Sequence, residues 1–132
     1  MEKDELDLGQ RNVLNCGHTV GHAIETVSGL KIWHGEAVAI GMLVEAGISN
    51  KMGILGRDEL VRLRGVIERA GLPIKIPDLK LDKIMQAMKH DKKILQGKLR
   101  FALPKSIGDV LITDEVDPSL IEQVLVGWNE EA

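Results

Sequence analysis

Aromatic side chains are nearly missing from this sequence: one phenylalanine, two tryptophans and no tyrosine among 132 residues. Bases of single-stranded nucleic acid stack on aromatic platforms, so a binder of that class is disfavoured. One cysteine is present, Cys16. It cannot close an internal disulfide, and a cytoplasmic setting is expected. The longest apolar stretch, 37–48, falls short of the roughly 20 residues that span a bilayer. Neither sign of charge dominates, and the net charge is −3. No global field therefore draws the chain to nucleic acid or to an anionic membrane. Residues 1–10 are acidic, unlike the basic and then apolar order of a signal peptide. What remains is ordinary for one soluble domain, with 44% apolar and 28% charged residues.

Hydrophobic periodicity divides the chain into helices. Over 11–26, ending before Gly29, a projection of about 100° per residue separates polar from apolar side chains. Arg11, Asn15, His18, His22 and Glu25 fall in one polar stripe, with Val13, Cys16, Val20, Ala23, Ile24 and Val27 opposite. Gly17 and Gly21, one turn apart, admit another backbone. His34–Lys51 is apolar all round, which marks a buried helix and the core of the domain. Gly41 and Gly47 lower its helix propensity and point to close neighbours. Residues 57–70 place Leu60, Leu63, Ile67 and Ala70 on one face, and Gly71 and Pro73 end that helix. Leu81, Ile84, Met85 and Met88 mark a short helix ending near His90. Residues 98–104 and Asp109–Thr113 flank Ser106-Ile107-Gly108 as a hairpin. Asp117 and Pro118 read as cap and first position of a last helix over 118–128. The predicted architecture is mainly α: a single multi-helix domain over 1–132 with one short β-hairpin.

Three imidazoles, those of His18, His22 and His34, are the candidates for chemistry. Divalent metals take neutral imidazole and carboxylate ligands, and a catalytic site commonly keeps three protein ligands and one open position. His18 and His22 stand four residues apart, as helical metal pairs do, but no glutamate follows His18 as in the His-Glu-x-x-His proteases. Spacing leaves two readings open: a metal site, or histidines satisfied inside a helical interaction domain without chemistry. Singly, Glu25 and Glu36 read as surface or first-turn carboxylates, and Lys92 and Lys93 as a solvated charge pair.

The motifs together are specific. Arg11-x-x-x-Asn15-x-Gly17-His18-Thr19-x-Gly21-His22-Ala23-x-Glu25, then His34-Gly35-Glu36-Ala37-Val38-x-x-Gly41-Met42, then Asp91-Lys92-Lys93, then Leu99-Arg100-Phe101-x-Leu103-Pro104, resemble the C-terminal domain of the 3-dehydroquinate synthase family over nearly the whole chain. The resemblance implies a phosphate-eliminating cyclase of the shikimate pathway. Its substrate would be a phosphorylated keto acid, 3-deoxy-D-arabino-heptulosonate 7-phosphate, and its products 3-dehydroquinate and phosphate. The implied cofactors are NAD and a divalent metal, zinc or cobalt. The resemblance makes His18 and His34 metal ligands and turns His22 toward substrate, suited to proton transfer. It makes Arg11 and Asn15 substrate-binding residues, and it maps Lys92 and Lys93 to the substrate phosphate. Asp7 stands where the family usually has glutamate, and Glu36 is expected to be structural. The family's nucleotide-binding half, with its glycine-rich turn, has no counterpart in this sequence. The third metal ligand, a glutamate, belongs to that half or to its junction. The expected partner is therefore an N-terminal nucleotide-binding half, the chain alone is expected to be inactive, and a homodimer fits the family's habit. Other sugar-phosphate cyclases, of the 2-deoxy-scyllo-inosose or valiolone type, resemble the same motifs.

Overall fold

The computed structural model describes residues 17–29, 32–76, 81–94, 101–106, 109–113 and 116–131. Its elements are α1 (His18–Val27), α2 (His34–Lys51), α3 (Arg57–Arg69), α4 (Leu81–Ile94), β1 (Phe101–Ser106), β2 (Asp109–Thr113) and α5 (Pro118–Glu131). This is the mainly helical fold with one hairpin that the periodicity predicts.

Helix α2 is the axis. It packs against α1, α3, α5 and β1. Its apolar residues lie on every side, and Ala37, Ile40, Leu43, Val44, Ala46 and Ile48 are completely buried. Burying a side chain the size of valine or leucine stabilises by roughly 1.5–3 kcal/mol, so this one helix organises much of the core. Val20, Ala23 and Ile24 of α1, Ile84 and Met88 of α4, and Ile121, Val124, Leu125 and Trp128 of α5 complete it. The Trp128 ring lies over Gly47, where a Cβ would come within 3.0 Å of it. Its indole N–H donates to the Ile74 carbonyl at 2.7 Å, and the Arg64 guanidinium stands 5.4 Å from the ring centroid.

The hairpin is antiparallel, with Phe101 opposite Thr113 and Leu103 opposite Leu111. Two strands alone are marginal in water. Here Phe101, Ala102, Leu103 and Pro104 are all buried and β1 lies against α2. The register shifts between Pro104 and Ser106, as suits a residue with no N–H to give. At the start of α5, Asp117 Oδ1 accepts hydrogen bonds of 2.9 Å from the Ser119 amide and hydroxyl, which makes it the expected cap.

Several boundaries depart from the periodicity, β1 among them, which ends at Ser106 and not at Pro104. The single helix expected over 11–26 does not form as such: α1 begins at His18, because Gly17 has φ 88, outside the right-handed helical region. Arg11, Asn15 and Cys16 lie outside the described residues. Helix α4 runs to Ile94 instead of stopping near His90, since no glycine or proline interrupts it and lysine favours helix. The Asp91-Lys92-Lys93 motif is thus helical. Helix α5 likewise continues beyond Trp128 to Glu131. Ala70 caps α3 and is exposed, so it is not part of the buried face.

Candidate functional site

Two helix starts meet at the site. His18 is the first residue of α1 and His34 the first of α2. Their crossing is set by glycine. A Cβ on Gly41 would run into the Gly17 carbonyl and approach the Gly21 amide nitrogen to 2.7 Å, and one on Gly21 would lie 2.9 Å from the Ala37 carbonyl oxygen. The two backbones are in direct contact, as Gly17 and Gly21 suggest in the sequence. This contact brings the histidine side chains together: the His18 and His34 ring centroids are 5.7 Å apart, edge to face at 60°. Two imidazoles bound tetrahedrally to one zinc, with Zn–N of about 2.0–2.1 Å, place their centroids roughly 5 Å apart. The observed separation of 5.7 Å is close to that value. Both side chains are exposed. The partial positive charge of two helix starts also favours an anionic ligand nearby.

Glu25, near the end of α1, reaches back to the second histidine. Its Oε2 lies 3.2 Å from His34 Nδ1. In the tautomer that donates from Nδ1, Nε2 keeps its lone pair for a metal, and the carboxylate fixes the ring. Read from sequence, Glu25 is a surface residue. It sits seven residues after His18 and nine before His34, and only the turn between the helices joins it to the latter.

His22 stands one turn beyond His18 on α1 and is exposed. Lys92 and Lys93 lie on the last turn of α4, a helix that packs against α1. Glu36 is half-buried in the first turn of α2. Asp7, Arg11 and Asn15 lie outside the described residues. Among the described residues, no group of three His, Cys, Asp or Glu side chains could hold a metal ion. The pair His18 and His34 fits part of a metal set and not a whole one.

A further acid faces the start of α1. Glu45, in the middle of α2, is completely buried. Burial pushes its pKa up from 4.5 to about 8, while the amides of Gly17, Val20 and Ala102 pull it down. Those amides face the carboxyl without good hydrogen-bond geometry, and among the described residues neither carboxyl oxygen has a hydrogen-bond partner. The signal for it in the sequence is one acid inside an apolar run.

The chain matches the family model described as 3-dehydroquinate synthase C-terminal over residues 1–94. It is 44% identical over 124 residues to a 3-dehydroquinate synthase of Acinetobacter baumannii, covering 93% of this chain and 34% of that protein. The figure is 43% over 127 residues for the enzyme of Nostoc punctiforme, covering 95% and 35%. The chain thus spans about a third of the length of these relatives. Among solved structures it superposes on a 2-epi-5-epi-valiolone synthase from Streptomyces hygroscopicus with NAD+ and Zn2+ bound. There the TM-score is 0.80 and the identity 28%, covering 89% of this chain and 33% of that one. A 2-deoxy-scyllo-inosose synthase complexed with carbaglucose-6-phosphate, NAD+ and Co2+ gives a TM-score of 0.71 at 30% identity, covering 84% and 33%. The motifs, the fold and the family match agree: the chain belongs to the 3-dehydroquinate synthase C-terminal domain family.

Proposed function

We propose that this chain is the metal- and substrate-binding part of a 3-dehydroquinate synthase. In this reading the full enzyme converts 3-deoxy-D-arabino-heptulosonate 7-phosphate to 3-dehydroquinate and phosphate in the cytoplasm. The observation that carries it is the pairing of His18 and His34, sixteen positions apart in sequence and 5.7 Å apart in space. A divalent metal held there would polarise a substrate hydroxyl and favour its alkoxide. His18 and His34 supply two ligands, and Glu25 orients the second. His22 contacts substrate and handles a proton. Arg11 and Asn15 bind substrate, the guanidinium fork of Arg11 matching a carboxylate or phosphate. Lys92 and Lys93 answer the phosphate charge from the end of α4. NAD and the third metal ligand belong to a nucleotide-binding half, without which the chain is inactive.

Zinc titration of the chain tests the ligand pair. His18→Ala and His34→Ala are each expected to weaken binding at least roughly tenfold while the fold persists. Unchanged affinity in both, with loss of stability only, would make the histidines structural members of an interaction domain. The reaction is tested by mixing the chain with a family nucleotide-binding half, NAD, zinc and substrate. Phosphate release is the expected result, and none from two folded halves would count against it.

A second reading has its own support, because solved structures that the chain resembles include a valiolone synthase and an inosose synthase. Glucose 6-phosphate and sedoheptulose 7-phosphate, offered to the same mixture, separate these cyclases from the synthase.

A further inference from the structure

Helix α2 carries Gly41, Glu45 and Ser49 at four-residue spacing, and therefore on one face. All three are buried. Gly41 meets the start of α1, where a Cβ would strike the Gly17 carbonyl. At the other end, the Ser49 hydroxyl donates to the Pro104 carbonyl of β1 at 2.5 Å. Glu45 lies between them. The amides of Gly17 and Val20 from the α1 side, and of Ala102 from β1, face its carboxyl. This face is a rail on which the first turn of the histidine helix and the hairpin both sit.

Two features give the middle position a role beyond packing. Helix starts have N–H groups without intrahelical partners, and Val20 is the third residue of α1. The residue at the cap position, Gly17, has no side chain to offer α1. The Glu45 carboxyl approaches those amides from a different helix. Secondly, a buried carboxyl without well-formed hydrogen bonds is destabilising by roughly 1–3 kcal/mol, and an apolar residue of the same shape would remove that cost. A local cost retained where α1 begins, next to His18 in sequence, is where a positioning role is expected.

We propose that Glu45 is a positioning residue for His18: its carboxyl fixes where α1 begins relative to α2 and β1, and so holds the His18 ring against His34. The consequence for metal affinity rests on the ligand reading of that pair. The ring contact does not.

The test uses the full chain and two measurements. Nuclear Overhauser contacts between the two rings report position, and titration with zinc alone reports affinity. Glu45→Met is expected to fold, to lose the ring contact and to bind zinc roughly tenfold more weakly. Glu45→Gln keeps the shape and an acceptor oxygen. It is expected to retain the contact and to bind zinc within about twofold of the parent. A residue that only fills space would leave the contact in both variants. Glu45→Asp covers the case in which the methionine chain does not fold. It keeps a carboxyl but draws it back by one methylene, and it too should lose the contact. Survival of the ring contact in the folded methionine or aspartate chain overturns the proposal, and so does its loss in the glutamine chain. If parent and His18→Ala chains bind zinc alike, the metal reading fails while the ring contact still decides the role of Glu45.

Discussion

His34 Nδ1 lies 3.2 Å from Glu25 Oε2, so the imidazole that opens α2 is held by a carboxylate from the far end of α1. The His34 side chain is 64% exposed and that of Glu25 18%. Between groups this exposed, such a contact contributes only about 0–1 kcal/mol to stability. Its effect on the direction of the ring can be much larger. A carboxylate on the distal nitrogen of a ligating histidine fixes tautomer and orientation.

Glu25→Gln is accordingly expected to leave the thermal midpoint almost unchanged and to weaken zinc binding roughly tenfold. Calorimetric titration with zinc, beside a melting curve, checks both halves. Loss of stability with unchanged affinity would make Glu25 a structural partner only.

Close approach of two backbones gives a second expectation. Gly41→Ala places a methyl against the Gly17 carbonyl and 2.7 Å from the Gly21 nitrogen, atoms that cannot yield without moving α1. Overpacking of this kind costs about 1–3 kcal/mol. Gly65→Ala is the contrast: on α3 the nearest atom lies 3.7 Å away, in ordinary contact. That change should stabilise by about 0.4–1 kcal/mol through the unfolded chain. Urea unfolding of the two variants should move in opposite directions, and equal midpoints would refute the close crossing.

These pairings show what a linear reading reaches. His34–Lys51 is legible because a run apolar on all sides has one economical fate, and the Asp117 cap because its cue lies in adjacent residues. Gly71, with φ 78 just past α3, is legible for the same local reason. The break at Gly17 is not. Its φ of 88 follows from seating α1 on α2, where Val38 and Met42 crowd any side chain. The carboxylate on His34 and the burial of Glu45 are likewise tertiary facts. Helical angles alone pair His18 with His22. The fold sets His18 beside His34, the partner that the family resemblance implies.

Ser49 offers a test of how the hairpin is held. Its hydroxyl donates to the Pro104 carbonyl in a buried setting. Ser49→Ala leaves that oxygen without its partner, and a cost of about 1–3 kcal/mol is expected. Amide exchange should quicken in β1 and β2 while the first turn of α1 is unaffected. Uniform loss of protection across the chain would show that the hairpin does not open as a unit.

The buried acid also predicts a pH dependence. Burial raises the Glu45 pKa from 4.5 to about 8 against the opposing pull of the Gly17, Val20 and Ala102 amides. Unfolded, the carboxyl releases its proton near its ordinary value; folded, it holds the proton until the raised one. Between the two the folded state binds more protons. Stability attributable to this group is therefore fully present below the unfolded pKa and is lost as pH rises through the window, by up to about 1.4 kcal/mol per pH unit. Asp117 acts in the opposite sense. Hydrogen bonds from the Ser119 backbone and side chain hold its pKa below 3.8, so its contribution is present above that value and disappears in acid. The two effects occupy different pH ranges and can be separated. Urea midpoints measured from about pH 5 to about pH 8 should fall for the parent chain and stay nearly level for Glu45→Gln. Parallel slopes in the two chains would mean that the carboxyl does not titrate inside the fold.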